Sequence, residues 1–101
     1  MTNSSPSPKG RILLCEECTH IQKLRITYRL HYENASLLMT ISDGTDVRAA
    51  DLGTALRAAT RFFFAVVDGR VTPCTFFDVL EDADEDGVFQ KIPLQSANNM
   101  L

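Results

Sequence analysis

The stretch Lys23-Leu24-Arg25-Ile26-Thr27-Tyr28-Arg29-Leu30-His31-Tyr32 decides the fold. Leu24, Ile26, Tyr28, Leu30 and Tyr32 alternate with Lys23, Arg25, Thr27, Arg29 and His31. Successive side chains of a strand point to opposite faces, so this period of two describes a strand with one buried and one wet face. Its β-branched and aromatic residues suit a pleated, half-buried surface. Outward from it, Glu33-Asn34-Ala35-Ser36 supplies turn residues, and Leu37 to Ile41 reads as the antiparallel return strand. Asp43-Gly44 marks a second turn, since Gly accepts positive φ and Asp tolerates it better than most. Asp46 to Ala49 fits a short third strand, and Arg11 to Cys15 can add one at the front.

Beyond these strands the period changes. Leu52, Leu56, Ala59, Phe63 and Val66 recur at helical spacing, which predicts a helix from Leu52 to Val67 with Asp51 as its N-cap and Gly69 at its end. A start at Thr45 would give one helix from Asp46 to Val67, but Gly53 inside it costs about 1 kcal/mol against Ala and favours the shorter element. After Thr72-Pro73, Cys74 to Leu80 reads as a strand and Val88 to Ile92 as another, joined by an acidic hairpin. The expected fold is α+β: an antiparallel sheet of four to six strands with one main α-helix packed on one face. Residues 1–10 are polar and Pro/Ser-rich and read as a flexible tail, 11–94 as a single domain, and 95–101 as a frayed end.

The chain has 101 residues, 45% hydrophobic and 23% charged, with a net charge of -3. One domain of this size buries roughly two-thirds of its unfolded surface. The longest apolar run, Phe62 to Val67, is too short for a membrane span, and no secretory apolar region follows Met1, so the expected address is cytoplasmic. Three cysteines leave an odd thiol, which argues against a secreted disulfide framework.

The charge is uneven. Residues 1–72 carry nine basic and seven acidic residues, whereas residues 73–101 carry Lys91 and six acids: Asp78, Glu81, Asp82, Asp84, Glu85 and Asp86. Such a one-signed segment can be a solvated loop or can steer a basic partner to the protein. Asp82, Asp84, Asp86 and Gly87 match the opening of a calcium-binding EF-hand loop, but its twelfth position falls on Pro93, where a bidentate Glu is needed. A weak divalent site is what that pattern leaves. Lys23, Arg25, Arg29 and His31 share the wet side of the long strand and form a candidate basic contact. The acidic balance and the lack of aromatics on that side weigh against nucleic acid.

Cys15, Cys18 and His20 form a C-x-x-C followed by a histidine, and Cys74 would complete a Cys3His set suited to tetrahedral zinc. The alternative is Cys15 and Cys74 as small buried residues, with Cys18 and His20 in a loop. Nucleophilic catalysis needs a spaced constellation, and no serine elbow, paired carboxylates or Gly-rich phosphate loop is present, so no enzymatic activity is expected. In Phe62-Phe63-Phe64, successive residues lie 100° apart on a helix, so Phe64 projects away from the core stripe and marks a partner site, a homodimer being the commonest form. The expected function is a small regulatory or inhibitor-like module that binds another protein, through the acidic hairpin, the basic strand face, or both. The alternative is a zinc-stabilised module contacting nucleic acid.

Overall fold

The computed structural model describes residues 11–92. The expected tails, 1–10 and 95–101, lie outside the described residues, as do residues 93 and 94. In chain order the elements are β1 (Ile12–Ile21), β2 (Leu24–Glu33), β3 (Ser36–Ser42), β4 (Val47–Asp51), α1 (Leu56–Asp68), α2 (Pro73–Ala83) and β5 (Gln90–Ile92). The strands form one sheet in the order β1-β2-β3-β4-β5, each neighbour antiparallel. The fold class is thus α+β, with a five-stranded antiparallel sheet and two helices.

Alternation on β2 carries the core. Ile26, Tyr28 and Leu30 are buried, and the register sets Tyr28 against Ile41 and Leu30 against Met39 of β3. Onto this side pack Ala59, Phe62, Phe63 and Val66 of α1 with Phe76 and Leu80 of α2. α1 touches β1, β2 and β3, while α2 touches β3 and β4. The hydroxyl of the fully buried Tyr28 donates to the Val71 carbonyl at 2.8 Å, which anchors the link between the helices to the middle of the sheet. Burial also raises the Tyr28 pKa, so the phenol stays a donor.

Three expectations need correction. Cys74 to Leu80 is not a strand: it belongs to α2, with Pro73 in the first turn, where its missing N–H costs nothing. Phe76 and Leu80 then fall on one helical face, and a short apolar run fits either period. The sheet is therefore covered by two helices where one was expected. Second, Asp51 does not cap α1. It ends β4, paired with Leu38 and Gln90, and its carboxylate accepts the Gly53 N–H at 2.8 Å. Gly53 at φ +84 takes the chain off any helical path, so α1 starts at Leu56. Third, Glu81 to Gly87 is no hairpin tip. It spans the end of α2 and the loop to β5, which begins at Gln90 where Val88 was expected.

Candidate functional site

The sheet face opposite the helices has a polar end. β1 and β2 pair Glu16 with Arg29, Cys18 with Thr27 and His20 with Arg25. Together with Ser42 and Asp43 at the end of β3, the Glu16, Cys18, Arg25 and Arg29 side chains line a cavity of about 400 Å³. Arg29 is ion-paired with Glu16, so most of its charge is already answered within the chain. Arg25 donates from Nη2 to the Cys18 Sγ at 3.4 Å, and the Thr27 hydroxyl lies 3.7 Å from the same sulfur. These two contacts, Arg25 first, hold the Cys18 pKa below that of an ordinary thiol. His31, farther along β2, is held below its usual pKa by partial burial and then by Arg11 and Arg29. Lys23 is not on this face; it lies in the turn between β1 and β2.

The four proposed zinc ligands are not brought together. Cys15 pairs with the core-facing Leu30, whereas Cys18 pairs with Thr27 on the open face, so the C-x-x-C straddles the sheet. His20 shares the Cys18 side, and Cys74 sits in the first turn of α2. Among the described residues, no group of three or more His, Cys, Asp or Glu side chains is placed to hold a metal ion.

Cys18 is exposed, so its reactivity reads the arginine contact directly. At neutral pH, iodoacetamide is expected to alkylate Cys18 several-fold faster in the wild type than in Arg25→Gln, because the thiolate is the nucleophile. Peptide mass spectrometry over a time course gives both rates; equal rates in the two proteins would contradict the contact.

The acidic segment forms a second surface. Asp78, Glu81 and Asp82 are exposed on α2, and Glu85 and Asp86 are exposed in the loop beyond it. Asp84 is half-buried and holds the loop, its carboxylate accepting the Val88 N–H at 2.8 Å. Lys91 of β5 is ion-paired with Glu81 and lies 5.5 Å from the Phe77 ring centroid. Beside these acids, a groove of about 380 Å³ runs between α1 and the loop, floored by Leu52, Phe62 and Phe89 and rimmed by Asp84, Glu85 and Asp86. Phe64 is 43% exposed and points away from the core, its ring meeting Phe63 edge-on at 5.1 Å.

No site role for Glu16, Thr27 and Asp43 on the open face, or for Leu52 and Phe89 in the groove, follows from the sequence. Their grouping depends on strand register and on where the acidic loop lies, which no local motif records.

No helix among the described residues is long and apolar enough to cross a membrane. No family model matches the chain, and neither curated proteins nor solved structures give a match.

Proposed function

We propose that the protein works by binding a basic macromolecular partner, most simply another protein, in a regulatory or inhibitor-like capacity and without chemistry of its own. The observation that supports this reading is the position of the acids on α2. Glu81 and Asp82 stand in the last turn, where the unsatisfied carbonyls already make the helix end negative, and α2 has no basic residue of its own there; Lys91 of β5 answers Glu81 and leaves Asp82 unanswered by an ion pair among the described residues. Charge in that place costs helix stability. Among the described residues, only Lys91 is ion-paired with the segment.

The basic strand face is the weaker candidate for the contact. Arg29 is answered by Glu16 and Arg11 by Glu33, and Arg25 is turned onto Cys18. A surface on which acids outnumber the bases Lys91 and Arg61 steers a cationic partner by long-range attraction, and the adjoining groove, apolar apart from Arg61 on its α1 side and the acids on its rim, offers a seat for one of its side chains.

Affinity capture from the native host with Asp82→Ser/Glu85→Ser/Asp86→Ser as the control tests this. Asp84 is spared because it holds the loop. The partner is expected to be retained by the wild type, released by added salt, and lost from the triple variant. Equal capture by the triple variant would move the contact elsewhere.

A further inference from the structure

We propose that two copies of the chain pair antiparallel along β1, across a two-fold axis at Cys18, making one continuous sheet. β1 is an edge strand of ten residues, and among the described residues its outer side pairs with no strand. Edges are ordinarily blunted by short length, lysine, proline, a bulge or an inward-pointing charge. β1 is long and contains neither lysine nor proline; its one bulge is confined to the Leu13–Cys15 end, and its one helix-side charge is Glu17.

Its regular part has definite ends. A bulge between Leu13 and Cys15 interrupts the ladder on one side, and Gln22, at φ 57, turns the chain on the other. The straight edge therefore runs from Cys15 to Ile21, and its midpoint is Cys18. A two-fold axis perpendicular to the sheet keeps both helix layers on one side, and facing residues must then share a face, so the axis passes through a residue.

Charge selects among the possible centres. An axis at Glu16 or at Glu17 sets that carboxylate against its own copy, and like charges directly opposed destabilise a strand pair. An axis at Thr19 shortens the ladder and sets Glu16 against Gln22 of the second copy, with no basic partner across the axis. An axis at Cys18 uses the whole straight edge. Glu16 then faces His20 of the second copy, with Arg25 of that copy in the next strand. Glu17 faces Thr19, and half-buried Cys15 faces half-buried Ile21 on the helix side. On the open face the two Cys18 side chains stand opposite each other. Facing Cα atoms of an antiparallel pair lie about 4.5–5.5 Å apart. A disulfide spans about 4.4–6.8 Å, so it can report this register.

Two single-cysteine forms make the test: Cys15→Ser/Cys74→Ser keeps Cys18, and Cys15→Ser/Cys18→Ser keeps Cys74 as a collision control. Diamide takes up the two electrons and two protons released when two thiols join. The Cys18 form is expected to give disulfide-linked dimer at least about ten-fold faster than the Cys74 form, because a preformed pair raises the effective concentration of the second thiol. The reduced wild type should sediment as a dimer. Cys18→Glu, whose new carboxylate can meet Arg25 in one chain but opposes its copy at the axis, should sediment as a monomer with a cooperative thermal transition. Phe64→Ser, altered on the helix layer, should remain dimeric. A monomeric wild type, equal crosslinking of the two forms, or dissociation by Phe64→Ser in place of Cys18→Glu would overturn the proposal.

Discussion

Phe63→Ala is expected to destabilise the protein by about 3–5 kcal/mol, the usual cost of emptying a fully buried aromatic site. Phe63 has no exposed surface and lies within the cluster that joins α1 to the sheet. A domain of this length has only about 5–15 kcal/mol of stability in total, so the loss takes a large share of it. The neighbouring Phe64 provides the contrast. It is 43% exposed and keeps its main contact with the Phe63 edge, so Phe64→Ala should cost no more than about 1 kcal/mol. Chemical denaturation of both variants gives the two numbers. A larger cost at Phe64 than at Phe63 would reverse the assignment of core and surface on α1.

The same phenylalanines show what could be read without coordinates. A helix through Phe62-Phe63-Phe64 has to choose which ring to expose, and the spacing of Ala59, Phe63 and Val66 already chose Phe64; Leu56, expected on the same stripe, is 58% exposed, and Leu52 is buried ahead of α1 instead of on it. β2 was legible for a similar reason: the middle of its alternating set, Ile26, Tyr28 and Leu30, fills one buried face while Leu24 and Tyr32 at its ends are exposed, and a slip of one residue would turn the buried three outward. Segments whose residues fit two periods were not legible. Phe76 and Phe77 satisfy a strand as well as a helix, and Pro73 was the decisive cue, since proline suits a first helical turn and cannot donate to a ladder.

The candidate site was less visible still. Cys15 and Cys18 looked like ligands because the first strand was expected to stop at Cys15. Once β1 runs on to Ile21, two residues three apart must lie on opposite faces of the sheet. The Arg29–Glu16 pair, which neutralises much of the basic face, depends on a register shifted by the bulge near Leu14. Composition showed that the last part of the chain is acidic. It did not show that two of those acids close a helix, where their charge works against the fold.

Gly53→Ala should be among the most damaging changes outside the core, for two separable reasons. Gly53 sits at φ +84, a left-handed conformation that costs an L-residue about 1–2 kcal/mol. A Cβ built there would also lie 2.6 Å from the Val88 Cγ1, well inside contact distance. Together these predict a loss of about 2–4 kcal/mol. The position has little room to move. The Gly53 carbonyl accepts the Leu37 N–H at 2.8 Å, and the adjacent Leu52 N–H donates back to the Leu37 carbonyl at 2.7 Å, pinning the chain to the start of β3. Val88→Ala removes the overlap but not the conformational strain, so Gly53→Ala/Val88→Ala should recover about 1–2 kcal/mol of the loss. If the shift falls on the loop instead, Val88 moves with the Asp84 carboxylate that holds it, and with them the acidic rim of the groove. The single variant would then lose affinity for a basic partner at temperatures where it is still folded, and the double variant would regain it. Full affinity in a folded Gly53→Ala chain would separate the groove from the acidic contact.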